Sequence, residues 1–169
     1  MKKIVLTFGL ISGIIVSIML FITFATELVN WDNGEVIGYT SMIIALSAIF
    51  FGIRSYRDKY LGGTINYGKA FLVGLYITII ASTVYVASWM IISNTLAPDF
   101  MQEYYDHTES TLRASEMSES DIQVKLEEVR AFQELYKNPW IKIGMTYMEI
   151  LPIGLLISLI SAAILQNRV

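Results

Sequence analysis

The sequence predicts an all-α integral membrane protein with four transmembrane helices and an extramembrane helical hairpin between the third and the fourth. Three observations predict it. Of the 169 residues 54% are hydrophobic and 16% are charged, more apolar content than a single soluble core of this size needs. The apolar residues gather into four long stretches, and lysine and arginine crowd one set of their ends. Only helices and closed barrels satisfy their backbone groups in lipid, and these continuous runs lack the polar alternation of barrel strands. Residues 1–169 therefore read as one membrane domain.

The first stretch, 4–26, carries no charge. At 1.5 Å per residue it reaches about 35 Å, enough for a hydrocarbon core of about 30 Å with some tilt. Lys2 and Lys3 ahead of it and Ala25 near its end also resemble a secretory signal, but such a signal has an apolar core of only about 7 to 15 residues. A retained helix is the expectation. The other spans are read at 36–53, 70–92 and 141–165. Small residues recur at helix-packing spacing: Gly9, Gly13 and Ser17; Gly74, Thr78 and Ser82; Gly154, Ser158 and Ala162. Such rows let helix backbones approach closely, mostly within one molecule, with a homodimer as the other use.

Lys2, Lys3, Arg54, Arg57, Lys59, Lys69 and Arg168 lie in short segments on one side of the four spans. The positive-inside rule makes that side cytoplasmic, so both termini are expected there. The connection 27–35 on the other side has no lysine or arginine. Trp31, Trp89 and Trp140 then all fall near the outer boundary, as an interfacial aromatic belt would.

The outer segment 93–140 holds ten acidic residues against four basic ones. Pro98 suits the start of a helix in which Met101, Tyr104, Tyr105, Thr108 and Leu112 recur at helical spacing. The serines between 115 and 120 suit an N-cap, and Ile122, Leu126, Val129, Phe132 and Tyr136 then repeat on a second helix. The two form a hairpin that extends the third and fourth spans or offers a surface to a partner. Asn138-Pro139 marks a turn or kink before the last span.

On the cytoplasmic side, 54–69 reads as a short loop with four basic residues, three tyrosines and three glycines. Gly62-Gly63 supplies a tight turn, and 64–67 alternate enough for a small hairpin. Basic and aromatic residues anchor helices at headgroups. Arg54, Arg57, Lys59 and Lys69, with Asp58 among them, also suit the clamping of an anionic headgroup or phosphate. The spacing is not that of a P-loop.

Glu149 is the one acidic residue inside a span, about 12 Å of helix beyond Ile141. A charge at that depth costs a few kcal/mol on the order of the insertion scales, so it faces the bundle, pairs or takes up a proton. Lys142 lies seven residues earlier on the same face, a marginal reach, so hydroxyls on the first and third spans are the expected neighbours. Pro152 follows three residues later and frees the carbonyl of Met148. A broken helix beside a carboxylate is how carriers build ion sites, whereas a fixed kink with an interhelical hydrogen bond is the structural use.

Gly52-Ile-Arg-Ser-Tyr-Arg-Asp-Lys59, Gly63-Thr-Ile-Asn-Tyr-Gly-Lys-Ala-Phe71, and Asn138-Pro139 followed by Thr146-Tyr-Met-Glu-Ile-Leu-Pro-Ile-Gly154 carry a resemblance over nearly the whole chain. They resemble the domain of unknown function family 4199, small bacterial membrane proteins. The resemblance implies four spans, with the segment after the second span and the Glu-x-x-Pro element as signatures. It implies no activity, substrate or cofactor.

There is no cysteine, which excludes disulfides, thiolate catalysis and cysteine-ligated metals. His107 and Glu103 are four residues apart, one permissible pair of ligands where a zinc site needs three or four. No nucleophile, base and orienting group assemble, so no enzyme, cofactor or metal is expected. A net charge of −3, with the basic residues outside 93–140 lying close to apolar stretches, gives no reason to expect nucleic acid. The expected role is a non-enzymatic structural, accessory or signalling membrane component. Its partners are membrane lipids and either a second copy or another membrane protein. A small proton-linked carrier at Glu149, and anionic-lipid binding by 54–69, are the alternatives.

Overall fold

A computed structural model describes residues 1–26, 31 and 33–167. All regular structure among them is helical: α1 (Lys2–Ala25), α2 (Gly34–Leu46), α3 (Ala48–Tyr60), α4 (Tyr67–Thr95), α5 (Phe100–Arg113), α6 (Glu119–Tyr136) and α7 (Pro139–Leu165). Four helices are long and apolar enough to cross a membrane: α1, the α2–α3 pair over Gly34–Tyr60, α4 and α7. The four expected spans match these, each a few residues short at one or both ends. Most of the connection 27–35, and Arg168, lie outside the described residues.

Local chemistry sets the ends. Asn66 caps α4 by accepting from the Lys69 amide at 2.9 Å, and Ser118 caps α6 by accepting from Asp121 at 3.2 Å, as the serine cluster predicts. Asn138 accepts from Trp140 at 3.0 Å, and Pro139 takes the first helical position, where its missing amide costs nothing. Asn138-Pro139 is thus a helix start. Gly62 and Gly63 have φ of 63° and 88°, and the Gly63 amide returns to the Arg57 carbonyl at 3.1 Å. Glycine is what lets the chain turn back there.

One irregularity is new and one expectation is corrected. Helix α7 runs unbroken through Pro152, while a discontinuity with no proline falls at Ser47 in the second span. There the Phe50 amide bonds Ser47 at 3.1 Å over three residues, and the Ser47 hydroxyl returns to the Ile44 carbonyl at 2.6 Å. The tight three-residue bond and the competing hydroxyl end one helix and start the next. Secondly, 54–60 is helix, not loop; only 61–66 connect α3 to α4, and no strand pairs within 64–67. Burial of Ile49, Ile53 and Tyr56 at helical spacing draws the helix on past the last apolar run.

Helix α4 lies between α1 and α7. Gly9 meets Ile80 and Gly13 meets Val84, and the Ser17 and Ser88 hydroxyls bond at 2.8 Å. Each step of four on α1 matches a step of four on α4 in the same direction, so these two run parallel. Against α7 the order reverses: Gly74 faces Ser158 and Thr78 faces Gly154, while Thr83 and Tyr147 bond at 2.9 Å. A methyl on Gly74 would lie 2.8 Å from Ser158 Cβ, and one on Gly13 2.6 Å from Val84 Cβ. The small-residue rows therefore serve packing within the molecule. Helix α3 closes the bundle against α1, α4 and α7, and α2 against α1 and α7. Met42, Leu46, Ile49, Ile53, Ile77 and Ile150 are fully buried in the shared core.

Helices α5 and α6 pack on each other through Tyr105, Ile122 and Leu126, flanked by Leu112, Met117 and Val129. The Arg130 guanidinium sits 5.2 Å over the Tyr105 ring. Arg113 bonds Glu109 at 2.8 Å and reaches Glu119 at 3.5 Å across the connecting turn. Tyr104, expected on the shared stripe, instead turns to Trp31 at 5.8 Å, and Tyr136 to Trp89.

Candidate functional site

The residues singled out from the sequence fall at opposite ends of the bundle. At the end where α3 gives way to α4, the last turns of α3 present Arg54, Arg57 and Asp58 together. Asp58 is held by Arg57 at 2.7 Å and Arg54 at 3.7 Å. Arg57 also donates to the Leu165 carbonyl at 3.4 Å, placing a cation at the electronegative end of α7. The Ile65 amide donates to Asn167 Oδ1 at 3.0 Å, and the Asn167 amide donates back to the Ile65 carbonyl at 3.0 Å. These bonds clasp the ends of α3 and α7 to the α3–α4 turn. Lys59 and Lys69 are exposed and take no part in the Arg54–Asp58–Arg57 cluster among the described residues. Lys69 instead borders a cavity of about 310 Å³ with Thr64, Asn66 and Asn167. A four-cation clamp is therefore not assembled: Arg57 is engaged in holding helices together. Asn167, absent from the sequence reading, is the residue that joins the clasp; an asparagine just past an apolar helix was its one visible signal.

At the opposite end, Glu149 on α7 lies beside Tyr85 on α4, whose hydroxyl is 3.5 Å from both carboxylate oxygens. Tyr85 is buried, whereas Glu149 keeps part of its surface open at the flank of the bundle. A hydroxyl on the third span is the neighbour expected. Lys142 does not reach Glu149; its Nζ bonds Ser93 Oγ at 3.3 Å and stands 5.1 Å over the Tyr136 ring. Trp89 Nε1 donates to the Tyr136 hydroxyl at 2.6 Å. Burial pushes the Tyr136 phenol above its usual range, while the Trp89 hydrogen bond works the other way. Trp89 is 6% exposed and rings with Phe24 and Phe100 at 5.3 and 5.1 Å, so it belongs to the interior. Trp140 is 78% exposed, as a belt residue would be.

The interior between these ends is lined with hydroxyls. Thr78 and Ser158 bond at 3.1 Å, and Ser158 also donates to the Gly154 carbonyl at 2.7 Å. The Ser12 and Ser82 hydroxyls are buried and have no hydrogen-bond partner among the described residues. The sequence does not single out Tyr85, and it marks Trp89 and Tyr136 only as belt and stripe residues, because aromatic residues near a span end look alike whether they face lipid or neighbours. The antiparallel count from Gly154–Thr78 brings position 85 opposite 147, within two residues of Glu149. His107 stacks on Trp31 at 5.6 Å and 17°, and no group of three or more metal-binding side chains occurs among the described residues.

The protein-family model described as "protein of unknown function (DUF4199)" matches residues 7–167. No curated protein matches the chain, and neither does any solved structure.

Proposed function

The chain belongs to the DUF4199 family of proteins of unknown function, and from that premise we propose that it is a non-enzymatic accessory component of a bacterial inner membrane. In this reading both termini are cytoplasmic, and α5 and α6 stand outside the lipid as an element that contacts a partner. One observation carries it: Ile122, Leu126 and Val129 of α6 pack on α5, while on its opposite side Val124 is 57% exposed and Leu135 52%. These two apolar side chains on an otherwise acidic helix are the anchors a partner would cover. The test is photo-crosslinking in intact membranes from residues placed at 124 and 135. A discrete adduct is expected, either a second copy or another membrane protein. Yields no higher than from position 127, where a glutamate faces solvent, would refute the reading. Because the chain has no cysteine, single cysteines at 61 and 115 also test the orientation by sided labelling.

A second reading, proton-linked transport, is supported by the Tyr85–Glu149 pair three residues ahead of Pro152. Carboxylates within membrane-spanning helices serve ion pathways elsewhere. Proteoliposomes under a pH gradient decide it: flux lost in Glu149→Gln sustains transport, and no flux in wild type removes it. Anionic-lipid contact at the cytoplasmic end draws on Arg54, Lys59 and Lys69, which are exposed. It predicts salt-sensitive lipid retention that falls when these three are neutralised and Arg57 is kept.

A further inference from the structure

A cavity of about 240 Å³ opens where the α4–α5 turn, the end of α6 and the start of α7 meet. Its walls carry both signs of charge. Lys142 supplies an ammonium, half-buried, held by the Ser93 hydroxyl and the Tyr136 ring face. Asp99 supplies a carboxylate that makes no capping bond to α5. Lys137 borders the cavity too but is paired with Glu134 at 2.6 Å, whereas Lys142 and the exposed Asp99 join no ion pair among the described residues. An ammonium and a carboxylate that border one cavity without pairing leave both free to meet a ligand carrying the opposite charges. Gln102 and Gln133, bonded to each other at 3.3 Å, add amide donors and acceptors to the same wall.

The order in depth says what kind of molecule fits. Lys142 is anchored at Ser93, inside the last turns of α4, whereas Asp99 lies beyond the end of that helix at Thr95. The positive group is therefore the deeper one and the negative group the outer one. A phospholipid headgroup with a primary amine has the complementary order: phosphate next to the glycerol, ammonium farther toward water. We propose that this cavity binds a zwitterion of the phosphoethanolamine type, with its phosphate on Lys142 and its ammonium on Asp99. The Tyr136 ring lies beside Lys142 in the cavity wall. The depth argument favours the lipid-borne form, and it rests on the bundle lying in a bilayer, which carbonate extraction tests separately.

Native mass spectrometry of the full chain from micelles holding equal amounts of dioleoyl phosphatidylethanolamine and dioleoyl phosphatidylglycerol reads the preference directly. Wild type is expected to retain the ethanolamine lipid about three- to tenfold more than the glycerol lipid, the size of one charge-assisted contact. Asp99→Asn should erase that preference while keeping total lipid, and Lys142→Gln should lower both adducts. Free O-phosphoethanolamine, followed as a shift in melting temperature, separates the sources. A shift that matches the lipid's means the headgroup alone is recognised, and a shift only with lipid means the acyl-bearing form is. Equal retention of the two lipids together with no shift from the free compound overturns the proposal. So does a preference unchanged in both variants. Circular dichroism checks folding, and if Lys142→Gln does not fold, Asp99→Asn, at an exposed turn, decides alone.

Discussion

The seam between α4 and α7 has two unlike halves. Toward the α3–α4 turn, Gly74 and Thr78 face Ser158 and Gly154, and the two backbones approach so closely that a single added methyl finds no room. Toward α5 and α6, the same two helices present Tyr85, Glu149, Ser93 and Lys142, polar groups joined by bonds of 3.3 to 3.5 Å, beside the 2.9 Å Thr83–Tyr147 bond. One half is held mainly by shape, with the Thr78–Ser158 bond inside it, and the other by hydrogen bonds and charge. In a bilayer, lipid tails are as apolar as leucine, so close packing is what drives helices together, and polar contacts add about 0.6 kcal/mol on average. The closed half is therefore where the association is secured. The polar half is where the molecule tolerates change.

Substitutions that enlarge the closed half should separate the two most sharply. Gly154→Val places its branched carbon against Thr78 and is expected to cost about 3 kcal/mol, the upper range for overpacking. Thermal unfolding in detergent checks it, and a melting temperature equal to wild type would mean that the two halves do not differ. Trp89→Phe removes the 2.6 Å donor to Tyr136 and should cost about 1.5 kcal/mol, near the top of the range for one hydrogen bond. It should also move the Tyr136 titration further up, because that donor stabilises the phenolate. Ultraviolet absorbance during alkaline titration reads the direction, and a downward shift would contradict the assigned bond.

Arg57→Ala breaks the clasp at the Leu165 carbonyl at an expected cost of about 1 kcal/mol. Amide exchange should quicken in the last turn of α7 with the α5 and α6 amides unaffected. Equal acceleration at both ends would show that the clasp is not local. Glu149→Gln is the gentlest change: an amide still accepts from Tyr85, so the melting temperature should shift by less than about 0.5 kcal/mol equivalent. Unfolding of this variant would make Glu149 a structural keystone and reverse the contrast between the halves.

The four spans were legible because length and apolarity alone specify them, and so were the small-residue rows, whose spacing is set by helix geometry. Which row meets which was not, since Gly9, Gly74 and Gly154 carry no label of their partner. The helix through Arg54 to Tyr60 was hidden by its charges, which match a headgroup-facing loop as well as the solvent side of an amphipathic helix. Pro152 drew the expected irregularity to α7 because proline is the strongest local signal. The discontinuity at Ser47 depends on a hydroxyl returning to a carbonyl three residues back, which a lone serine does not announce. At the candidate site, Glu149 stood out as a charge among apolar residues, while its partner Tyr85 needed the fold.

The jointed second span has a mechanical corollary. Helices α2 and α3 have 13 residues each, about 20 Å apiece, so neither alone crosses a hydrocarbon layer of about 30 Å. Together they form a two-piece strut with its break at Ser47, beside three unbroken helices. When bilayer thickness changes, an unbroken helix answers by tilting as a whole, which in α1, α4 and α7 would shear interdigitated glycines. A change of angle at Ser47 is the one response that would leave those three in register.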